Sequence, residues 1–204
     1  MARDKTIAAS QVLTDARRRA AQRFEQDVSA QLAFLDMPHV QLQVSIEPTA
    51  LTAIGGDKVE FLLSSNPGEP PKSIARTASG GELSRIMLAF KSVLADVDDV
   101  DTLVFDEVDS GISGRAAAKV GTLMRRIAAR RQVLCVTHLA QIAANGHTHL
   151  YVSKSVADGR TYTRVDELDE SSRLQELARI MGGEVTDTTL DAAREMRQKV
   201  AAAP

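Results

Sequence analysis

Two carboxylates in succession, Asp106 and Glu107, follow the apolar run Leu103-Val104-Phe105. A strand ending in acids brings them to the edge of an α/β sheet where ligands bind. Alternation of side chains along a strand would aim the two acids in different directions. The first then suits Mg²⁺, usually held through water, and the second suits polarising an attacking water. Such pairs also occur as plain solvated turns, so this one gains meaning from its neighbours. Downstream, Val133-Leu134-Cys135-Val136-Thr137 leads into His138. A histidine at a strand end can donate a hydrogen bond to a phosphate, although a lone histidine is more often structural.

Two further segments frame these groups. Ala78-Ser79-Gly80-Gly81-Glu82 stands immediately before a helical pattern. Glycines and a serine at a helix start offer backbone N–H groups, a hydroxyl and the positive end of the dipole, which together can cradle a phosphate. A capped helix start with a flexible turn would read the same way. Residues 108–114 (VDSGISG) form a glycine-bearing turn in which Ser113 is the expected helix N-cap. Cys135 has an apolar strand setting and is expected to be core, while His39, His147 and His149 lack motif context and are expected at the surface.

The elements that must position these residues are legible in outline. From Thr6 to Leu35 there is neither proline nor glycine, and Leu13, Ala16, Ala20, Phe24, Val28, Leu32 and Leu35 recur at steps of three or four. The mean step of about 3.7 fits a straight amphipathic helix, and the helix could be the root of a coiled-coil arm or an ordinary surface helix. Pro38 closes it. Leu42, Val44 and Ile46 alternate as in a half-buried strand, Val59 to Ser65 reads as a second, and Asn66 to Ser73 as a proline-rich loop. Leu83, Ile86, Met87, Phe90 and Leu94 mark a helix, and Val120, Leu123, Met124 and Ile127 another. A hairpin is expected over 150–165 with its turn at Asp158-Gly159, then helices over 171–181 and 187–201, the first stopped by Gly182-Gly183. Helices alternating with continuous apolar strands imply an α/β fold with a parallel sheet covered on both faces.

Bulk properties set limits. The chain has 204 residues, enough for one sizeable core, and a net charge of −2, which argues against a dedicated nucleic-acid module. Aromatic content of 3 % disfavours base stacking as a main activity. One cysteine excludes an internal disulfide and fits a reducing compartment. No run of about 18 apolar residues is present, so no membrane-spanning helix is expected.

The order of serine-glycine turn, strand with Asp-Glu, glycine turn and strand with histidine resembles the C-terminal half of an ABC-type ATPase head of the SMC family. SIARTASGGELSRIMLAFKSVL, TLVFDEVDSGISGRAA and QVLCVTHLAQIAA carry the likeness, with NPGEPP ahead of them. It covers roughly residues 40–196, and residues 2–37 fit a returning coiled-coil helix. The resemblance implies a coiled-coil helix over 1–37 and an ATPase-head lobe over 38–204, with a mainly parallel sheet flanked by helices. It further implies that Ser79, Gly80, Gly81 and Glu82 are the signature that meets the γ-phosphate held by a partner head. Asp106 becomes the Mg²⁺ acid of the Walker B strand, Glu107 the catalytic base and His138 the switch histidine. Ser110, Gly111 and Ser113 occupy the D-loop. Implied cofactors are ATP and Mg²⁺. Implied partners are an N-terminal head lobe with a Walker A loop, a second head in a homodimer, and DNA, with no membrane. The implied setting is cytoplasmic and nucleoid-associated, in repair and recombination of DNA double-strand breaks. Ala78 stands where leucine is usual and Ser113 where aspartate is usual, which puts the D-loop's cross-dimer contacts in question.

A complete ATPase also needs G-x-x-x-x-G-K-[ST]. Gly55-Gly56-Asp57-Lys58 has the wrong spacing, and Pro71 precedes Lys72-Ser73 where glycine is required. The chain is therefore expected to be one half of a longer machine, hydrolysing ATP only with a complementary lobe, or serving as a non-catalytic assembly element that docks to one. A different reading makes Asp106, Glu107, Asp109 and the histidines a two-metal nuclease site, which leaves the serine-glycine turn unexplained. Arg17-Arg18-Arg19 and Arg125-Arg126 with Arg130-Arg131 could meet DNA phosphates, but solvated helix faces explain such clusters better.

Overall fold

The computed structural model describes residues 1–66, 68–74, 80–95 and 97–202. It divides into two compact units, Met1–Asp99 and Val100–Pro204.

In the first unit, α1 (Ala2–Phe34) is a single helix of 33 residues. Its stop is local. Asp36 takes a left-handed φ of 61°, and Met37 N–H reaches back to Leu32 O at 2.9 Å, one turn before Pro38. The apolar stripe is buried only toward this end, at Val28, Leu32 and Leu35, whereas Leu13 is exposed. Upstream, Thr14 turns inward instead. Its hydroxyl donates to the Asp57 carboxylate at 2.8 Å, and Arg17 donates to Asp57 at 2.8 Å and to Ile54 O at 2.6 Å. A polar clamp thus sets the helix rotation where hydrophobic periodicity alone points elsewhere.

That clamp grips a hairpin of β1 (Gln41–Thr52) and β2 (Gly55–Ser64), paired antiparallel with Leu42 opposite Leu63 and a register shift between Pro48 and Thr52. Pro48 is tolerated because β1 is an edge strand of the order β1-β2-β3. Gly55 has φ 108°, a backbone conformation that L side chains rarely adopt, and a Cβ there would stand 2.8 Å from Leu13 Cδ2 and 2.9 Å from Arg17 Nη1, so both side chains would also have to shift. Part of the expected proline-rich loop forms β3 (Lys72–Ser73) on β2. Helix α2 (Gly80–Val93) buries Ile86, Leu88, Ala89 and Phe90 and leaves Met87 outside. Phe90 and Phe24 meet edge to face at 5.2 Å between ring centres, with Phe61 at 5.8 Å from Phe24, an arrangement that adds to simple burial.

The second unit opens with β4 (Thr102–Phe105), crosses over through α3 (Gly114–Ala128) and returns in β5 (Gln132–Cys135). These strands pair in parallel, Phe105 opposite Cys135. Helix α3 buries Ala117, Val120, Leu123, Met124 and Ile127. Then come the short α4 (Ala140–Ala143), β6 (Leu150–Ala157) and β7 (Arg160–Glu167), α5 (Glu170–Gly182) and α6 (Asp187–Ala202). The β6–β7 turn is the expected one, with Asp158 at φ 53° and Gly159 at φ 71°, the left-handed pair of a tight hairpin. Gly183 at φ 76° ends α5. Leu177, Ala178 and Ala193 join Ala140 and Ala144 in a core shared by α4, α5 and α6.

The α/β class holds, but the expected mainly parallel sheet does not: among the described residues only β4 and β5 pair in parallel, and the longer strands pair antiparallel. Parallel pairing needs a crossover helix, and α3 is the one that joins two paired strands. Nor is this sheet covered on both faces. Leu103 and Phe105 point inward, whereas Val104, Leu134 and Val136 are 67 %, 44 % and 64 % exposed. No described helix is long and apolar enough to cross a membrane.

His149, expected at the surface, is half-buried with its Nδ1 enclosed. Burial, and secondarily the charge of Arg173, hold its imidazole below the ordinary 6.5, against an opposing pull from Glu176. The unfolded chain therefore takes up the proton first. The full stability is present above pH 6.5 and is lost as the pH falls from there toward the lowered folded value. Acidifying from about pH 7.5 to about 5.5 should lower the melting temperature, and His149→Gln should flatten that dependence. Equal slopes for the two proteins in differential scanning calorimetry would remove His149 from the account.

Candidate functional site at the end of strand β4

The acids and the histidine belong to the second unit, and the serine-glycine turn to the first. Gly80 and Gly81 are the first residues of α2, followed by Glu82 in its first turn. Ala78 and Ser79 lie outside the described residues.

Strand β4 stops at Phe105, and both acids beyond it are exposed. Their different directions do not come from strand alternation. Glu107 takes a left-handed φ of 56°, and the Asp106 carboxylate turns to accept the Glu107 N–H at 2.9 Å. A non-glycine residue in this conformation costs about 1–2 kcal/mol, and such strain gathers at functional positions. Glu107→Gly should relieve it, less about 0.5–1 kcal/mol for glycine's added freedom, and so be at least as stable as the parent. Urea denaturation is the check; a loss above about 1 kcal/mol would show that the Glu107 side chain stabilises the fold in its own right.

The chain then turns through residues 108–113, with Ser110 N–H bonded to Glu107 O at 3.1 Å and Ile112 N–H to Asp109 O at 3.4 Å. Gly111 has φ 72°. Ser113 is the N-cap of α3 by position, but its hydroxyl makes no cap hydrogen bond. Across the parallel pair, Val136 N–H bonds Phe105 O at 3.0 Å and carries the chain to Thr137 and His138. Asp109, one turn beyond the acids, is buried and accepts from Thr137 Oγ1 at 2.7 Å and His138 N–H at 2.9 Å. His138 Nδ1 lies 3.0 Å from the same Oδ2, and its side chain is 73 % exposed against 5 % for Asp109. The turn after β4 and the loop after β5 are therefore fastened to each other, and Asp109 is the fastener. Cys135 beneath them is half-buried rather than core, and its thiol is pushed up to about 12, by burial first and by Asp109 and Asp106 second, which keeps it unreactive.

No group of three His, Cys, Asp or Glu side chains that could hold a metal occurs among the described residues, and Asp109 faces Thr137 and His138. The two-metal nuclease constellation therefore has no support. One exposed carboxylate does fit Mg²⁺, which takes one or two protein carboxylates and fills its shell with water and substrate phosphates. The basic clusters are largely engaged internally. Arg17 holds Asp57, Arg125 donates to Asn145 O at 3.2 Å, and Arg131 lies 3.7 Å from Asp101. A cleft of about 850 Å³ beside α3 and α6 is lined by Arg125, His147, Met196 and Lys199 among others, and by none of the acids or His138.

No family model matches the chain. Curated relatives do. The DNA repair protein RecN of Bacillus subtilis (strain 168) is 48 % identical over 154 residues, which are 75 % of this chain and 27 % of that protein. RecN of Vibrio cholerae is 42 % identical over 193 residues, 93 % of this chain and 35 % of that protein. The chain belongs to the RecN family. It spans about a third of the length of these RecN relatives. Among solved structures, the Smc head domain with a coiled coil and joint from Pyrococcus yayanosii aligns with TM-score 0.58 at 22 % identity, over 80 % of this chain and 30 % of that one. An SMC ATPase chain studied for ATP-driven dimerization aligns with TM-score 0.51 at 20 % identity, over 82 % of this chain and 97 % of that one. These likenesses give the fold of the RecN-type chain, that of the C-terminal part of an SMC-like head.

Proposed function

We propose that this chain is the half of an SMC-type ATPase head that supplies the acids and the histidine to a nucleotide gripped by another lobe. The carrying observation is the end of β4, where a strained turn presents Asp106 and Glu107 to solvent while Asp109 ties in His138. Bound Mg²⁺ would neutralise phosphate charge and orient the β- and γ-phosphates of ATP. Asp106 would hold that ion, in part through water. Glu107 would accept a proton from the attacking water, and His138 would contact the γ-phosphate. Gly80, Gly81 and Glu82, with Ser79, would serve the nucleotide of a second head in a homodimer, and the turn with Ser110, Gly111 and Ser113 would lie along that interface. The relatives' printed role, DNA repair, suggests double-strand break repair and recombination on DNA in the cytoplasm.

By itself the chain reads as a non-hydrolysing element that must dock. No Walker A pattern occurs in its sequence, and the outward apolar face of β4 and β5 at Val104 and Leu134, continued by Val136 just past β5, suits a covering lobe. The test is reconstitution. The purified chain should show no ATP hydrolysis, and mixing it with a Walker A-bearing N-terminal lobe of a RecN protein should restore it. Robust hydrolysis by the chain alone, or none on mixing despite a formed complex, would overturn the reading.

A further inference from the structure

We propose that Asp109 is the positioning residue of His138: it fixes which nitrogen of the imidazole faces outward. The inference deepens the functional reading above and rests on it only for the use to which His138 is put.

Asp109 lies in a turn where neighbouring polar residues are exposed, yet its own side chain is only 5 % exposed. A carboxylate so enclosed is out of reach of solvent-borne metal or substrate, and its cost must be met by hydrogen bonds. Two hydrogen bonds converge on one oxygen, from Thr137 Oγ1 at 2.7 Å and His138 N–H at 2.9 Å, and His138 Nδ1 lies 3.0 Å from that same oxygen. Thr137 Oγ1 in turn accepts Leu139 N–H at 3.1 Å, so the hydroxyl's own proton is directed to Asp109. Backbone bonds alone would fasten the loop. The approach of Nδ1 adds something a fastener does not need, because a carboxylate beside Nδ1 keeps the proton on that nitrogen when the ring is neutral. Nε2 is then the outward nitrogen, an acceptor on the neutral ring and a donor on the protonated one. Carboxylates that orient an imidazole through its far nitrogen act in this way in hydrolases and metal sites, and removing them disturbs the tautomer without touching substrate.

The test is a tautomer measurement on the full chain with ¹⁵N-labelled histidine, by long-range ¹H–¹⁵N correlation above the imidazole's titration range. Parent His138 should be the Nδ1–H tautomer. Asp109→Ala should lose it in favour of Nε2–H, whereas Thr137→Val, which removes one donor to Asp109 but leaves the carboxylate beside Nδ1, should keep it. A parent His138 in the Nε2–H form overturns the proposal even if Asp109→Ala fails to fold, and so does an equal change in both variants. In the reconstituted ATPase, Asp109→Ala should lower kcat by the same factor as His138→Ala, with KM unmoved and no further loss in the double variant. Additive losses would mean that Asp109 acts by another route. A tautomer exchange without any effect of His138→Ala on turnover would sink the functional reading and leave Asp109's positioning role intact.

Discussion

Glu107→Gln is expected to leave nucleotide binding in place and to lower ATP hydrolysis by ~10²–10⁴-fold once the chain is joined to a Walker A lobe, the usual worth of one positioned base. The substitution keeps the size and the left-handed backbone of Glu107 and removes only its capacity to take a proton. Stability should therefore be unchanged, which separates this variant from Glu107→Gly. The neighbouring acid gives a different signature. Asp106 accepts the Glu107 N–H, so Asp106→Ala should disturb both the proposed Mg²⁺ contact and the turn, and should weaken binding as well as turnover. Steady-state rates alongside fluorescent-nucleotide affinity distinguish the two. A Glu107→Gln protein that hydrolyses at the parent rate would reject that residue as the base.

The largest effect on stability is expected away from the acids. Arg173 of α5 is buried, and its guanidinium donates to His147 O at 3.1 Å, to Ala143 O at 3.0 Å and to Gly146 O. Arg197 of α6 donates to Ala144 O at 2.8 Å and pairs with Glu170. Two cations therefore gather the carbonyls at the C-terminal end of α4, where the helix has no basic residue of its own. Arg173→Met preserves much of the side-chain volume but leaves the carbonyls of Gly146 and His147 without the guanidinium, while Ala143 O keeps the Gly146 N–H at 3.3 Å, at a cost of roughly 3 kcal/mol. Since α4 starts two residues after His138, the same variant should loosen the histidine loop. Chemical denaturation and the His138 imidazole signals report the two consequences. A loss below about 1 kcal/mol would show that water replaces the guanidinium.

Local chemistry was readable wherever a residue acts on its own neighbourhood. Asp158-Gly159 announces the β6–β7 hairpin because only such a pair accepts two left-handed residues in succession, and Gly182-Gly183 marks the end of α5 for a related reason. The succession of acids, turn and histidine was readable too, since each sits at a strand end bounded by apolar residues. What stayed hidden depends on distant partners. Thr14 is buried against expectation because Asp57, 43 residues on, claims its hydroxyl. Asp109 looks like any loop acid until Thr137, 28 residues later, folds beside it. Arg173 resembles an ordinary surface cation of α5, and only the fold brings α4 carbonyls to it. Apolar runs such as Leu103–Phe105 reveal that a strand exists, not which strand it pairs with, and so the antiparallel pairing of β1, β2 and β3 was missed. The exposure of Val104, Leu134 and Val136 has the same origin, because an apolar run predicts a cover without saying that this chain provides it.

Whether Asp106, Glu107 and His138 surround one metal–nucleotide complex can be read directly by paramagnetic broadening. With Mn²⁺ in place of Mg²⁺ and a non-hydrolysable ATP analogue in the reconstituted assembly, the signals of these three residues should broaden together and sharpen when the nucleotide is withdrawn. Broadening confined to other regions, such as the cleft beside α3 and α6, with the end of β4 left sharp, would contradict the account.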